Sequence, residues 1–334
     1  MLFGNCQMSA GKSGISSKIV LTPVQLANNY IVVSFLPELG AKMNSLKSVR
    51  SGREFLYRLP DRPYRRAAYG ASFAAYDTSG FDECCPTIAE CIYTGHGFAG
   101  RKMPDHGDLW SSSWDYWAGD RGLFFETQGK SLPYRFRKSV RLEDNVAILA
   151  YEIENTGSGE FAFLWSAHPL LAVEASCRIV LPGEVSRLFV EWSRGERLGK
   201  FGDSCDWPIA SCKDGERVDL SRLRPASAAT ADKLFASRFQ HGECALCYPQ
   251  TNEAIAFHFN PHDVPYLGIW ISQGGWPSPE RGHFTVGLEP CTGYPDSLRE
   301  AIHRGSCDVL RPKQKKKWAL RIEIQSGDAS FAAR

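Results

Sequence analysis

The chain has 334 residues, 43% of them hydrophobic and 23% charged, and a net charge of +2, the composition of an ordinary globular protein with ample chain for a core. The near-neutral balance gives no reason to expect nucleic acid or a membrane surface as partner, and no apolar run approaches the roughly 20 residues that cross a bilayer. The opening residues lack a basic start followed by an apolar stretch, and the 11 cysteines are an odd number, so reduced thiols and a cytoplasmic setting are expected.

Residues 1–17 read as a loose lead-in. Gly11-Lys12-Ser13 has the ending of a phosphate-binding loop, but Cys6 stands where a glycine is required and no strand precedes it, so the match fails. From residue 18 the pattern is strand after strand. Short β-branched or aromatic runs at 18–21, 30–36, 43–49 and 54–57 are separated by turn residues. The series continues at 123–127, 134–142, 146–153, 161–165, 178–181, 187–190, 236–239, 244–248, 254–259, 267–272, 283–289 and 318–324. Long amphipathic helices are absent from the pattern, which predicts an all-β sandwich or barrel. No linker interrupts it, so one domain is expected over 18–325, with 1–17 and 326–334 as loose ends. The polar stretch 193–232 reads as a surface excursion, and the basic run 313–317 as a solvated turn before the last strand.

Three stretches are dense in residues that carry chemistry. In the first, Phe284, Val286 and Leu288 alternate with Thr285, Gly287 and Glu289, so a half-buried strand delivers Glu289 on a face with room for an approaching group. Pro290 is expected to end the pairing, and Ser297 with Glu300 has capping-box spacing for a short helix. The second joins residues 80–88 to 103–110 as a long loop region, with His106 between Asp105 and Gly107 and close to Trp110. Asp105 and Asp108 are placed to orient or charge that imidazole. The third ends an alternating run at His168, where Pro169 is expected to stop the strand. A further set, Cys244, Cys247, His258 and His262, approximates a zinc-ligand order. The second pair needs a helix, whereas His258 falls in a strand pattern and Pro261 disrupts helices, so no metal site is read here.

Taken in order, these segments resemble the aldose 1-epimerase (galactose mutarotase-like) family. The resemblance rests on Gly-Phe-Asp-Glu-Cys-x-Pro-Thr-Ile at 80–88, Asp-His-Gly-x-Leu-Trp at 105–110, Trp-Ser-Ala-His-Pro at 165–169 and Leu-Glu-Pro-x-Thr-Gly-x-Pro-Asp-Ser at 288–297. It implies an all-β galactose mutarotase-like supersandwich of antiparallel sheets with few short helices and a cleft for a monosaccharide. It implies an isomerase, with Glu289 as general base, His168 as general acid and His106 as a second histidine beside the sugar. Asp82 and Glu83 would accept hydrogen bonds from hydroxyls, and Trp110, Trp270 and Trp276 would cover a sugar face. A protonated His168 and an ionised Glu289 are expected to coexist near neutral pH with small tuning. Anomer exchange proceeds in water unaided, so no cofactor or metal is required. The family's additional sugar-binding aspartate has no assigned counterpart; Asp203 and Asp206 are candidates. An arginine for a phosphorylated sugar would come from Arg62, Arg65 or Arg66. A monomer or homodimer is expected, and the rival functions are a non-catalytic carbohydrate-binding or regulatory protein, a hexose-6-phosphate mutarotase, and a glycoside hydrolase or lyase.

Overall fold

The computed structural model of the protein describes residues 21–326, apart from residues 60 and 238. Its strands build two large sheets in which neighbours pair antiparallel. The ten-stranded sheet runs in the spatial order Val24–Ala27, Ile31–Leu36, Lys42–Ser48, Phe81–Cys84, Ser166–Ala172, Phe284–Cys291, Tyr266–Gln273, Thr230–Ser237, Arg187–Ser193 and Ser204–Asp206. The eight-stranded sheet runs Arg178–Val180, Glu243–Tyr248, Glu253–Phe259, Lys315–Ser326, Val146–Asn155, Tyr134–Glu143, Gly122–Gln128 and Asp115–Gly119. Among the described residues there is one α-helix, Leu298–Arg304, and no helix is long and apolar enough to cross a membrane.

Period-2 alternation puts the core between the sheets. In Lys315–Ser326, Trp318, Leu320, Ile322 and Ile324 are buried while the residues between them reach solvent. Rings interlock across the gap: Phe35 meets Phe125 at 5.2 Å, and Trp165 meets Trp318 at 5.0 Å. Truncating one such buried aromatic typically costs about 3–5 kcal/mol.

Several elements depart from expectation, each for a visible reason. Residues 54–57 make single bridges at Glu54 and Leu56 rather than a strand, because the Glu54 carboxylate accepts the Leu46 and Leu56 N–H groups. The run 161–165 divides: Phe161–Phe163 pairs with Asp308–Leu310 in a small sheet of its own, and a new strand starts at Ser166. The supposed loop at 80–88 contains Phe81–Cys84, a central strand too short to display an alternation. The excursion at 193–232 contains three short strands and ends by entering Thr230–Ser237, where Asp232 is buried against Arg197. Lys313 lies in an exposed turn before the last strand, as expected of the basic run, whereas Lys315, Lys316 and Lys317 belong to the last strand and pair with Glu152, Glu154 and Asp308. That strand runs to Ser326, past the expected boundary at 325. At the expected capping box, the Ser297 side chain makes no cap bond, and the Leu298 N–H donates to Thr87 Oγ1 at 3.1 Å. The lead-in at 1–17, residues 18–20 of the first expected strand and the tail 327–334 lie outside the described residues.

Candidate active site

Strand register explains how distant residues meet. Phe235 stands opposite Gly268, and Gly268 opposite Glu289. On the other side, the pairs Ser166–Cys291 and Leu170–Gly287 set His168 across from Glu289, and His168 is paired in turn with Asp82. Pro169 and Pro290 fall inside this stretch. Neither has an N–H, so the ladder opens between their strands without either strand ending. Pro290 stays in register with Leu267, and Pro169 with Phe81, which corrects the expectation that the prolines terminate the pairing. Their effect is to leave His168 and Glu289 side by side where the two strands are unlaced.

Two glycines make room for the carboxylate. A Cβ at Gly287 would lie 2.8 Å from Glu289 Oε1, and one at Gly268 would lie 3.2 Å from Oε2 and 3.3 Å from Lys233 Nζ. Through the gap at Gly268, Lys233 reaches across from the second strand over and forms a direct ion pair with Oε2. Its Nζ is also 3.7 Å from Asp296 Oδ1. Glu289 is fully buried, and its Oε1 has no hydrogen-bond partner but lies 4.0 Å from His168 Nε2. Burial pushes the Glu289 carboxyl above its ordinary value, against the pull of Lys233. Burial opposes the charge on Lys233, but Asp296 and Glu289 raise its pKa on balance.

His106 is held by a tight turn in which both it and Gly107 have positive φ, 58° and 73°. A Cβ on Gly107 would lie 2.1 Å from the Cys85 carbonyl oxygen, so only glycine fits. Asp108 ties this turn down, its carboxylate accepting bonds from Ser131, Tyr134 and Tyr69 rather than touching His106. Asp105 is the residue that orients the imidazole: its Oδ1 accepts from His106 Nδ1 at 2.7 Å, and its Oδ2 accepts the Phe73 N–H at 2.8 Å. The second bond brings the Phe73 ring parallel to His106 at 4.0 Å and edge-on to His168 at 5.2 Å. The two imidazoles are 4.9 Å apart. Burial works to raise the Asp105 carboxyl, but the hydrogen bond and charge of His106 bring it below its ordinary value. Burial, with His106, Lys233 and Lys42 nearby, pushes His168 well below 6.5. That direction favours the neutral imidazole over the protonated form expected from the sequence.

These groups line one cavity of about 280 Å³, close to the lower end of the roughly 300–1,000 Å³ of small-molecule sites. Trp192, Trp270, Trp276 and His283 supply much of its apolar wall. Trp192 and Trp270 stack at 6.0 Å, and Trp276 meets both Trp270 and His283 edge-on. Burial and then Arg62 lower His283 to about 4.

No family model matches the sequence, and no curated protein matches it. Solved structures do. The Slr1438 protein of Synechocystis sp. PCC 6803 aligns with a TM-score of 0.70 at 14% identity, over 97% of this chain and 100% of that one. A galactose mutarotase-like protein from Lactobacillus casei aligns at 0.66 and 18% identity, over 91% and 100%. A galactose mutarotase related enzyme from Lactobacillus acidophilus aligns at 0.65 and 14%, over 92% and 99%. The chain has the galactose mutarotase-like fold. At these identities the likeness is one of fold, and the site stands on its own geometry.

Within this galactose mutarotase-like fold, Glu289, His168, His106, Trp270 and Trp276 line the cavity, whereas Asp82, Glu83 and Trp110 do not. Strand parity separates the two acids. Glu83 points into the core between the sheets, where Lys138, Tyr151 and Trp165 occupy both its oxygens, so it is not available to a substrate. Asp82 shares the His168 face but pairs with Lys42 at 2.9 Å, and burial holds its carboxyl up at about 6. Trp110 packs behind Phe73 and donates its Nε1 hydrogen to the Asp105 carbonyl. Asp203 caps its own loop and Asp206 is an exposed partner of Arg187, so neither reaches the cavity. Arg62 and Arg65 donate to backbone carbonyls of Ala74, Ala75 and Tyr76, and Arg66 borders a separate surface depression. Reasoning from sequence missed Lys233, Asp296, Phe73, Trp192 and His283. Asp296 lay in a recognised motif but was given no role there; the others carried no local signal.

Proposed function

We propose that the protein is an isomerase of the aldose 1-epimerase type, interconverting the α- and β-anomers of a monosaccharide. The reading is carried by Glu289 Oε1, a buried carboxylate oxygen without a partner, facing the cavity 4.0 Å from an imidazole nitrogen. Ring opening takes a proton from the anomeric hydroxyl and gives one to the ring oxygen. It therefore needs a base and an acid at different atoms, each worth roughly 10²–10⁴-fold. Glu289 Oε1 accepts the hydroxyl proton; a carbonyl forms at C1 as its bond to the ring oxygen breaks, and an imidazole protonates the departing oxygen. We assign that proton to His106, whose Nδ1 hydrogen-bonds to the Asp105 carboxylate and leaves Nε2 to carry the transferred proton. Neutral His168 hydrogen-bonds the reacting oxygens. Rotation about C1–C2 and closure on the other face return every proton. Trp270 and Trp276 cover the apolar face of the ring. The names of the fold neighbours support a sugar as the ligand class.

Carbohydrate binding without catalysis is the second reading, favoured by the Lys233–Glu289 ion pair, since a carboxylate already paired has less call on a proton. Polarimetry on freshly dissolved α-glucose and α-galactose separates the two. Relaxation to the equilibrium rotation faster than in buffer is the expected result; sugar binding with the buffer rate unchanged would establish the second reading instead.

A further inference from the structure

Among the described residues lining the cavity, Lys233 is the sole lysine or arginine, and the reaction above leaves it unused. We propose that Lys233 is the positioning residue for Glu289: its ammonium occupies Oε2, keeps the carboxyl ionised on the buried floor of the cavity, and leaves Oε1 as the single oxygen free to take a proton. The inference rests on the reading of Glu289 as the base.

Three observations carry it. An ionised carboxylate with no exposure is strongly disfavoured unless it is paired, and Lys233 is the cation in direct contact with it. The contact is built into the fold, because Lys233 belongs to the second strand over and reaches Glu289 only where Gly268 withholds a side chain; a Cβ there would crowd both Nζ and Oε2. The lysine is also held from behind, with Asp296 Oδ1 at 3.7 Å and the Phe235 ring at 5.4 Å from Nζ.

The other titratable groups around Glu289 do not substitute for it. Cys291 on its own strand and Cys84 in the central strand are thiols that burial pushes up and leaves uncharged. Burial and nearby cations disfavour a charge on His168, Asp296 is a second carboxyl group that opposes ionisation of Glu289, and His106 is engaged by Asp105. Removing the lysine therefore removes the main influence that lowers the Glu289 carboxyl. The ionised base then appears only at higher pH.

Lys233→Met removes the charge while keeping the apolar stem, and Lys233→Arg keeps the charge. The acidic limb of kcat/KM for anomerisation is expected to move up by about one pH unit or more in Lys233→Met, a roughly tenfold loss of rate on that limb. It should return toward the wild-type position in Lys233→Arg, whereas a merely structural pair would leave the limb in place. A ¹³C NMR titration of the Glu289 carboxyl, assigned with Glu289→Gln, should show the same upward shift. This readout needs no turnover, so wild-type protein that fails to speed anomerisation would refute the proposed reaction while the role of Lys233 is still decided. An unchanged Glu289 titration in folded Lys233→Met overturns the inference. Should Lys233→Met not fold, the ¹⁵Nζ resonance of Lys233 in the wild type and in Glu289→Gln decides: a shift supports the contact, and an unmoved resonance overturns it.

Discussion

Two buried Lys–Glu pairs lie on opposite faces of the same sheet, and they differ in what their remaining atoms meet. Glu83 receives Lys138 and Tyr151 on Oε1 and Trp165 on Oε2, while Lys138 also donates to the Ala41 carbonyl and sits among the rings of Phe35, Trp114 and Phe125. Burial pushes that glutamate up and that lysine down, yet every polar atom of Glu83 is used. Glu289 is as deeply buried, but its Oε1 is unpartnered and faces a cavity between two imidazoles and a tryptophan wall. Burial and charge pairing therefore do not mark a site by themselves. An unsatisfied polar atom aimed at open space does.

Substitutions can break or sharpen this contrast. The largest effect is expected at the cavity pair: Glu289→Gln should retain fold and sugar affinity and lose roughly 10²–10⁴-fold in anomerisation rate, read by polarimetry and isothermal calorimetry. At the core pair the loss should fall on stability instead. Glu83→Ala strands the Lys138 charge and should cost about 3–5 kcal/mol in urea unfolding, with the rate per folded molecule kept. Gly287→Ala tests the room left for the carboxylate. Its added carbon would lie 2.8 Å from Oε1, so the rate should fall on the order of 10–100-fold with an unchanged circular dichroism spectrum. The smallest effect on stability is expected at Asp105. Its lowered carboxyl contributes stability above its ordinary value of 3.8, lost as pH falls through the lower folded value. Asp105→Asn should be less stable at neutral pH by about 1 kcal/mol, and its unfolding midpoint should fall less steeply in acid.

The fold class was legible in sequence because alternation survives in strands such as Lys315–Ser326, where one face is wet. Phe81–Cys84 was illegible because both of its faces are buried and four residues show no period. The cavity residues Glu289, His168 and His106 stood out through their neighbours, since prolines and glycines beside them signal irregular backbone. Glu83 was misread because adjacency in sequence suggested a shared role with Asp82, while strand parity sends the two to opposite faces. Lys233 was invisible for a different reason. Beside Asp232 it reads as a solvated charge, and only its register opposite Trp270 brings it beneath the cavity. Phe73 is placed by a bond from its backbone to Asp105, a contact between segments that no local pattern encodes.

The most direct measurement is saturation-exchange NMR between the anomeric protons of glucose, and then of galactose, with wild-type protein and Glu289→Gln at equal folded concentration. The account predicts exchange well above the buffer rate for the wild type on at least one of these sugars, and exchange close to the buffer rate for Glu289→Gln. Equal acceleration by both proteins would contradict it, because the oxygen on which the chemistry is built would then be idle.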